Sequence, residues 1–400
     1  MTIRVAYFTH YSELYGANRS LLDLMLALRE NGLVEPLLFS PEEGPLLGRA
    51  RAEGIPTYVL PWKPWMTVRH YSGRPHHRIL QYVRYTQQAK SNQRANRAFA
   101  PQVLQLMREH RVELIHVNSA AVGIVPVLLK SIGLPVVWHI RELPERHYRF
   151  HVDVGRWRYA QALRTADRAI VISEAVRQDV HRYAGSDIHT ELIYNGVLSD
   201  KHDAIAGTDR RLRWSNVDPF IFLIAGVIHP AKGQVEAIKG FALATHRCPG
   251  IRLWIAGAGK LDRLRALVAE LDLGEDVEFL GHVEDLTSVY AKTHALLVCS
   301  RNEAMGRVTV EAMGSGAPVI GYADGGTVEL IQHEENGLLY SGGEAELAHA
   351  MLRLVNDPGL ARDLGEKAAE RSQERFGIQR CAGQVAAVYQ AVLAARHRNT

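Results

Sequence analysis

Short runs of apolar residues alternate with stretches of helical periodicity along the whole chain, a pattern typical of parallel-sheet α/β units. The first unit predicts a strand over residues 3–9, a loop over 10–17 and a helix over 18–31. The apolar side chains of this helix recur at helical spacing: Leu21, Leu24, Met25 and Leu28. Gly32 follows as a C-terminal cap, because glycine tolerates the left-handed backbone that commonly ends a helix.

The remaining predicted strands fall into two series, which indicates two domains. The first series continues at residues 113–117, 136–139 and 169–172, and the second contains residues 220–226, 252–256, 277–280, 295–298 and 318–320. Residues 197–219 are polar with little periodicity and are interpreted as a linker. Residues 64–93 give no sign of a regular element and are interpreted as an insertion or a mobile region.

The end of the chain predicts one more helix, over residues 378–396. It carries Val385, Val388, Tyr389 and Val392 on one face, so it must pack against a domain. We therefore expect an α/β fold of two Rossmann-like domains. The N-terminal domain covers residues 1–196 and is joined by the C-terminal helix, 377–400, and the C-terminal domain covers residues 220–376.

Length and composition agree with this division. The 400 residues suit two domains, and 47% apolar with 22% charged residues allows each domain to bury a core. Cys248, Cys299 and Cys381 are too widely spaced for a disulfide framework or a zinc site and indicate a reducing compartment. The longest apolar stretch, residues 120–129, is half a membrane span, and the N-terminus lacks a signal-peptide pattern. We therefore expect a soluble, cytoplasmic protein.

The net charge of +4 conceals a strongly basic segment, residues 54–108. It contains no Asp or Glu and nine basic residues: Lys63, Arg69, Arg74, Arg78, Arg84, Lys90, Arg94, Arg97 and Arg108. Six large side chains lie among them: Trp62, Trp65, Met66, Tyr71, Tyr82 and Tyr85. This mixture suits an anionic surface, namely phospholipid headgroups, a lipid diphosphate or nucleic acid. The alternative is a solvated helical face that acidic groups elsewhere balance.

Loops that follow the strands are the expected ligand sites, because the carboxyl ends of parallel strands face the N-termini of helices. Gly16 follows the first strand and would let a phosphate or a sugar approach the backbone closely, although a single glycine also suits an ordinary turn. Lys232 follows the strand at residues 220–226, in a loop bounded by Pro230 and Gly233. It is either a diphosphate ligand or an ordinary exposed lysine.

The segment 300–321 is the most informative of these loops. A strand ends at Ser300, and a helix is predicted over about residues 306–315. Glu303 precedes the first helical turn, and Glu311 lies more than one turn inside the helix. The N–H groups between the two glutamates would face a phosphate.

The spacing of the two glutamates does not carry this interpretation alone. Glu366 and Glu374 are also eight residues apart, but they lie on a helix rich in Lys and Arg and are expected to be solvated. The difference is the context of Glu303 and Glu311, which have a strand before them, Gly306 at the turn and a Gly-x-Pro-Val-Ile sequence after them.

The ordered motifs of the second series resemble those of the GT-B glycosyltransferases of family 4, a large group of retaining nucleotide-sugar transferases. The resemblance is strongest over residues 220–335, with Glu303…Glu311-Ala312-Met313, Gly316-x-Pro318-Val319-Ile320 and Gly325-Gly326-x-x-Glu329. Weaker matches are Gly16-Ala17, Ala166-Asp167…Val171-Ile172-Ser173 and Ile193-x-Asn195-Gly196. Most of the chain is covered, apart from roughly residues 60–110. The resemblance implies the GT-B architecture, in which two Rossmann-like domains face each other across a cleft.

The resemblance also implies roles for individual residues. Glu311 would bind the ribose hydroxyls of the donor nucleotide, and Glu303 would bind the transferred sugar. Lys232 would bind the diphosphate, Gly16 would approach it from the other domain, and His139 would lie near the donor sugar. Four consecutive backbone N–H groups would reach the sugar and the phosphate: Ala304, Met305, Gly306 and Arg307. His139, Glu303 and Lys232 are thus the candidate catalytic residues.

One departure from the family pattern concerns charge. The family usually has an arginine where this chain has Val227, so one of two cations on the diphosphate is missing. Either Arg307, one residue into the phosphate-facing turn, replaces it, or the diphosphate is bound more weakly.

The resemblance predicts a retaining hexosyltransferase that moves a hexose or an N-acetylhexosamine from a nucleotide-diphosphate sugar to an acceptor hydroxyl. No metal and no other cofactor is expected, since the chain contains no Asp-x-Asp triplet. A front-face reaction is expected, in which the donor phosphate takes the acceptor proton.

The acceptor is predicted from charge. Residues 54–108 lie in the domain that binds acceptors in this architecture, and further arginines add to their charge: Arg141, Arg146, Arg149, Arg156 and Arg158. We expect an anionic, lipid-linked saccharide of cell-surface polysaccharide assembly, peripheral contact with the inner face of the membrane, and no nucleic-acid partner. The alternatives are a soluble acceptor, a nucleotide-sugar 2-epimerase and a catalytically inactive two-domain binding protein.

Overall fold

The computed structural model describes residues 2–129, 132–147, 149–153, 155–199, 213–214 and 218–398. The chain divides into two compact units. The N-terminal unit comprises Met1–Gly196 and Ile378–Thr400, and the C-terminal unit comprises Val197–Gly377. Most of the predicted linker, residues 197–219, lies outside the described residues.

The described part of the N-terminal unit contains one parallel sheet and one small ribbon. The strands are β1 (Ile3–Phe8), β2 (Val34–Ser40), β3 (Thr57–Val59), β4 (Met66–Val68), β5 (Leu114–Asn118), β6 (Val136–Ile140), β7 (Phe150–Val152), β8 (Arg168–Val171) and β9 (Thr190–Leu192). Seven of them form the sheet in the order β3-β2-β1-β5-β6-β8-β9, and β4 pairs with β7 in an antiparallel ribbon. Because the order reverses between β1 and β5, the loops after these strands diverge, and such a reversal is where α/β sheets bind ligands.

The N-terminal helices are α1 (Gly16–Glu30), α2 (Pro45–Ala52), α3 (Pro75–Glu109), α4 (Val125–Leu128), α5 (Arg156–Thr165) and α6 (Glu174–Ala184). Helix α1 begins two residues before the predicted start at Asn18. The Asn18 side chain accepts a hydrogen bond from the Thr9 hydroxyl at 2.5 Å and donates to the carbonyls of Tyr11 and Glu13. It therefore fixes the loop after β1 instead of starting the helix.

The prediction that residues 64–93 lack regular structure is wrong. They contain β4 and the first half of α3, a helix of 35 residues and about 52 Å. The side chains that α3 buries in its middle are small or polar: Ala89, Asn92, Asn96 and Ala100. Asn96 accepts from the Lys63 N–H at 2.7 Å and donates to the carbonyls of Lys63 and Gly123. Because hydrogen bonds replace apolar packing here, the sequence lacks apolar periodicity.

The described part of the C-terminal unit contains a six-stranded parallel sheet. Its strands are β10 (Ile221–Ala225), β11 (Arg252–Ala256), β12 (Val277–Gly281), β13 (Ala295–Val298), β14 (Val319–Tyr322) and β15 (Leu338–Tyr340). Their order, β12-β11-β10-β13-β14-β15, is the Rossmann order, with its reversal between β10 and β13. The predicted strands agree with these bounds to within two residues. The predicted fold class, α/β with two Rossmann-like domains, is confirmed.

The C-terminal helices are α7 (Gln234–Arg247), α8 (Asp262–Glu270), α9 (Thr287–Lys292), α10 (Arg307–Gly314), α11 (Thr327–Leu330), α12 (Glu344–Asn356) and α13 (Pro358–Phe376), with a short 3-10 helix at Pro230–Lys232. The last helix, α14 (Ile378–His397), belongs to the N-terminal unit. Its four apolar residues Val385, Val388, Tyr389 and Val392 share one buried cluster with the apolar face of α1. Among the described residues, no helix is both long and apolar enough to cross a membrane.

Candidate functional site

Two polar side chains meet at the carboxyl edge of the C-terminal sheet. Lys232 lies in the loop after β10 and Glu303 in the loop after β13, and these strands are neighbours at the reversal of the sheet. The Nζ of Lys232 donates to Oε2 of Glu303 at 2.7 Å. Both side chains are largely buried, with exposed fractions of 18% and 10%. The topology thus joins a cation and a carboxylate that are 71 residues apart in the sequence.

Glycines allow the two loops to pack closely. Gly233 has a left-handed backbone (φ 72°), and a Cβ atom there would lie 2.4 Å from the carbonyl oxygen of Cys299. Gly325 is also left-handed (φ 57°), and its Cβ atom would lie 2.5 Å from the carbonyl oxygen of Glu303. That oxygen accepts a hydrogen bond from the Gly326 N–H at 2.7 Å. The Gly325-Gly326 motif, in the loop after β14, therefore supports the Glu303 loop.

The helix that follows this loop presents its N-terminus at the same edge. Gly306 is the N-cap residue of α10, with a left-handed backbone (φ 82°) and no side-chain capping bond. The first N–H groups of a helix lack intrahelical acceptors, and the helix dipole makes this end positive. The edge therefore offers backbone donors beside the ammonium of Lys232.

Glu311 is buried in α10 and is held from two directions. The Nε of Arg307 donates to its Oε1 at 2.8 Å, one helical turn away. The hydroxyl of Tyr290, on α9, donates to its Oε2 at 3.1 Å. Both oxygens of the carboxylate thus have a fixed donor. The Arg307 guanidinium is thus paired with the Glu311 carboxylate. A contact between Arg307 and a phosphate stays a prediction.

The N-terminal unit places a different set of groups at its own carboxyl edge. Gly16 opens α1, directly after the loop that follows β1, and a Cβ atom there would meet no atom within 4 Å. His139, near the end of β6, is completely buried. Its Nδ1 lies 3.2 Å from Nη2 of Arg141, and its ring centroid is 5.2 Å from that of His116. Burial, the charge of Arg141 and the nearby His116 hold the pKa of His139 well below its usual range.

Arg141 and Glu142 are fixed by polar groups from neighbouring segments. Arg141 donates through Nε to Oδ1 of Asn118 and through Nη1 to Oδ1 of Asn195. Glu142 accepts at Oε1 from the Ser119 hydroxyl at 2.5 Å and from the Ala120 N–H at 2.6 Å. Burial raises the pKa of Glu142 above its usual range. The edge is therefore a buried polar network.

Two family models match the chain. The model described as Glycosyltransferase Family 4 matches residues 15–201, and the model described as Glycosyl transferases group 1 matches residues 208–371. The first match lies almost entirely in the N-terminal unit and the second in the C-terminal unit. The chain is a GT-B glycosyltransferase of the family 4 type.

Individual relatives of this glycosyltransferase include an exopolysaccharide phosphotransferase of Streptomyces coelicolor, 40% identical over 147 residues, which are 36% of this chain and 16% of that protein. A D-inositol 3-phosphate glycosyltransferase of Streptomyces bingchenggensis is 30% identical over 246 residues, 57% of this chain and 54% of that protein. The chain thus spans about half or less of these two curated relatives. The solved structure of HepE from Anabaena with UDP and glucose is similar in fold, with a TM-score of 0.73 and 22% identity over 97% of this chain and all of HepE.

The predicted site residues of this glycosyltransferase fall into two groups. The structure brings Lys232 to Glu303 and Arg307 to Glu311 in the C-terminal unit, whereas Gly16 and His139 lie in the N-terminal unit. Their roles in binding and catalysis stay predictions. The supporting groups that the sequence analysis missed are of two kinds: Tyr290 and Asp324, which bond to Glu311 and to the Glu303 loop, and Asn118, Ser119 and Glu142, which belong to the polar network around Arg141. Asp324, for example, accepts from the Asn302 N–H at 2.9 Å beside Glu303, and only its place before Gly325-Gly326 signals this.

Proposed function

We propose that this glycosyltransferase moves a hexose or an N-acetylhexosamine from a nucleotide-diphosphate sugar to an acceptor hydroxyl, with retention of configuration. The observation that carries the proposal is the Lys232–Glu303 pair at the reversal of the C-terminal sheet, beside the N-terminus of α10. A cation, a carboxylate and backbone N–H donors at one edge suit a ligand that has both a diphosphate and neighbouring hydroxyls.

The leaving group determines why these charges are useful. When the bond between sugar and diphosphate breaks, negative charge develops on the phosphate, and preorganised donors stabilise that charge. An ammonium has three N–H donors, and the bond to Glu303 uses one of those of Lys232. We assign the diphosphate to Lys232 and to the backbone of Ala304–Arg307, the transferred sugar to Glu303, and the ribose to Glu311.

Two residues of the N-terminal unit complete the proposed donor contacts. A Cβ atom at Gly16 would meet no atom of the described residues within 4 Å, so close packing at this position does not explain the glycine, whereas a closely approaching diphosphate would. The Nε2 of His139 is buried and has no hydrogen-bond partner among the described residues. We assign it to a hydroxyl of the donor sugar.

Nucleotide release tests the proposal and identifies the donor. The purified protein would be incubated with UDP-, GDP- and ADP-sugars, with and without acceptor, starting with UDP-glucose because HepE was solved with UDP-glucose. Acceptor-dependent release supports transfer. Release without an acceptor and conversion at the sugar C2 would indicate an epimerase, and absence of release with every donor would favour a binding protein.

Metal independence and retention need their own measurements. We expect the rate of release to be unchanged after EDTA treatment, because Lys232 and the N-terminus of α10 supply the positive charge at the leaving group. Proton NMR of the first product formed would show whether the anomeric configuration of the donor is retained. A rate that falls with EDTA and returns with Mg²⁺, or an inverted product, would overturn the corresponding part of the proposal.

The structure changes which residues of the basic segment, 54–108, are available to an acceptor. Arg69 forms a buried ion pair with Asp153 at 2.8 Å, so it is not a surface charge. Trp62, Trp65 and Met66 are also buried. The exposed large apolar residues of this segment instead include a cluster near the start of α3: Ile79, Leu80, Tyr82 and Val83.

We propose that this cluster, with the exposed Arg78 and Arg84 beside it, contacts an anionic membrane surface that carries a lipid-linked acceptor. Apolar side chains flanked by basic ones, on a segment without acidic residues, suit the interface of anionic lipids. Each basic residue contributes about 1 kcal/mol to such binding, so Arg78→Gln with Arg84→Gln should weaken it about tenfold or more.

Vesicle flotation tests this contact. The protein should bind vesicles that contain phosphatidylglycerol and not vesicles of phosphatidylcholine alone, and Ile79→Asp with Leu80→Asp should abolish binding. Leu243→Asp, at an exposed apolar residue of α7, is the matched control. If the unaltered protein binds neither vesicle, the membrane contact is excluded. A soluble acceptor would then be preferred, and the name of the inositol phosphate glycosyltransferase relative makes inositol phosphate the first acceptor to try.

A further inference from the structure

The contact between Arg141 and His139 fixes where the imidazole carries its proton. Nη2 of Arg141 lies 3.2 Å from Nδ1 of His139. A guanidinium has donors and no acceptor, so Nδ1 must accept, and the proton of the neutral ring lies on Nε2. A doubly protonated ring would place an N–H group against the guanidinium N–H. This contact is therefore compatible only with the neutral ring.

The guanidinium of Arg141 is itself held in place. Asn118, at the end of β5, accepts from Nε, and Asn195, after β9, accepts from Nη1. The Arg141 residue is only 6% exposed. Because its plane is fixed by amides from two separate segments, the nitrogen that faces His139 cannot turn away without breaking these bonds.

The Nε2 atom, on the other side of the His139 ring, indicates contact with a ligand. Nε2 is buried and lacks a hydrogen-bond partner among the described residues. A buried donor without an acceptor costs about 1–3 kcal/mol, and such groups are rare unless they serve a function. An oxygen acceptor such as a sugar hydroxyl would satisfy it.

We propose that Arg141 is a positioning residue that holds His139 as the neutral Nε2–H tautomer. The imidazole then donates one hydrogen bond to the transferred sugar and takes no part in proton transfer. The assignment of the sugar rests on the proposed function, whereas the tautomer follows from the Arg141 contact alone. The role of a general acid or base for His139 is thereby excluded.

The other groups around His139 also favour its neutral form. His116 faces it from β5, and the hydroxyl of Tyr389, on α14, lies 2.7 Å from Nδ1 of His116. Tyr7, on β1, and Cys381, on α14, are further titratable groups of this core, and β8 contributes the apolar Ile170 in register. Glu142 is bound to Ser119 and Ala120. None of these contacts stabilises a positive charge on His139, in agreement with its lowered pKa.

Histidine NMR of the intact protein tests the tautomer without any substrate. Long-range proton–nitrogen correlation spectra of histidine labelled with nitrogen-15 would be recorded from about pH 5 to about pH 8, and His139→Gln would assign the signal. We expect the Nε2–H pattern with no titration over this range. An Nδ1–H pattern, or titration of His139 within the range, would overturn the proposal even if the donor assignment is correct.

Arg141→Met and Arg141→Lys extend the test to function. In Arg141→Met, signals of both tautomers should appear and the pKa of His139 should rise, because the guanidinium that opposes protonation is gone. With the donor identified by the nucleotide panel, kcat/KM should fall about 10- to 100-fold. Arg141→Lys should recover part of this loss, since an ammonium also donates to Nδ1.

A single Nε2–H tautomer in Arg141→Met, with kcat/KM unchanged, would exclude the positioning role. If this variant does not fold, as judged by circular dichroism, the spectra of the unaltered protein still decide the tautomer. If no donor is turned over by any form of the protein, the proposed function fails, and the NMR result stands separately.

Discussion

The carboxyl edges of the two sheets share a reversal of strand order but differ in how their charged and polar groups are paired. In each sheet the strand order reverses beside the first strand. The segments at that point carry Lys232 and Glu303 in the C-terminal unit and Gly16 in the N-terminal unit, whereas His139 lies on β6, the next strand along. At the C-terminal edge two carboxylates are each paired with a cation, Glu303 with Lys232 and Glu311 with Arg307. At the N-terminal edge, His139 instead contacts Arg141 and the ring of His116, and His116 bonds to the Tyr389 hydroxyl.

The two edges therefore offer different groups to a ligand: ion pairs at the C-terminal edge and neutral imidazoles at the N-terminal edge. Charges held in ion pairs can be redistributed when a charged ligand arrives, because the ammonium of Lys232 can share its donors between Glu303 and a diphosphate. Buried neutral imidazoles offer a hydrogen bond of fixed direction and resist protonation. We therefore expect substitutions at the C-terminal edge to act mainly on donor binding and leaving-group charge, and substitutions at the N-terminal edge to act on orientation and stability.

The largest effect is expected for Lys232→Ala. It removes the fixed cation at the proposed leaving group, so kcat/KM for the donor should fall about 100- to 1000-fold. Steady-state nucleotide release is the measurement. Lys239→Ala, at an exposed lysine of α7, is the matched control and should be unchanged. Equal rates for the Lys232 and Lys239 variants would show that the edge does not hold the diphosphate.

Glu311→Ala should have the next largest effect. A charge-assisted hydrogen bond to a ribose hydroxyl contributes roughly 1.5–3 kcal/mol, so the affinity for the nucleoside diphosphate should fall about 10- to 100-fold in calorimetry. Glu374→Ala is the control, because Glu374 has the same spacing from Glu366 that Glu311 has from Glu303 but is exposed on α13. Unchanged affinity in Glu311→Ala would show that Glu311 does not bind the ribose.

At the N-terminal edge, Tyr389→Phe should act on stability. The Tyr389 hydroxyl lies 2.7 Å from Nδ1 of His116 and 3.3 Å from the Tyr7 hydroxyl, and all three groups are buried. Leaving Nδ1 of His116 without its partner should lower the free energy of unfolding by about 1–3 kcal/mol, measured in urea.

A double-mutant cycle distinguishes this cause from lost packing. His116→Leu removes the other partner, and an apolar pair in place of a polar one is often close to neutral. We therefore expect the double variant, Tyr389→Phe with His116→Leu, to lose less stability than the sum of the single variants. Additive losses would show that the hydrogen bond makes no net contribution.

The two regions also differ in how far the sequence predicts them. Five of the six described C-terminal strands were predicted to within two residues, because strands buried on both faces of a parallel sheet are continuous apolar runs. The sixth, β15, was not predicted. Helix α3 was missed because its inner face is made of Ala and Asn, and β4 was missed because its pairing with β7 is set by residues far along the chain. Local pattern cannot reveal either feature.

The same distinction applies to the candidate residues. Lys232, Glu303 and Glu311 follow strands or lie in a recognisable motif, so both their loops and their family resemblance point to them. Tyr290 and Asn118 carry no such signal, because each becomes important only through a contact made by folding, with Glu311 and with Arg141 respectively. Sequence reasoning finds the groups that face a ligand more readily than the groups that hold them.

The smallest effect is expected for Arg307→Leu, which decides between two roles for the guanidinium. If Arg307 replaces the cation missing at Val227, the variant should lose affinity for the nucleoside diphosphate but not for the nucleoside alone. Its bond to Oε1 of Glu311 at 2.8 Å favours a role in holding the ribose carboxylate instead. We therefore expect about three- to tenfold weaker binding of both ligands, since one hydrogen bond to a charged group is lost while Tyr290 still holds Oε2.

Competition binding of UDP and uridine, or of the pair that the donor panel selects, compares the loss of affinity for the nucleoside diphosphate with the loss for the nucleoside. A loss confined to the diphosphate would assign Arg307 to the leaving group and make the C-terminal edge a site with two cations on the phosphate.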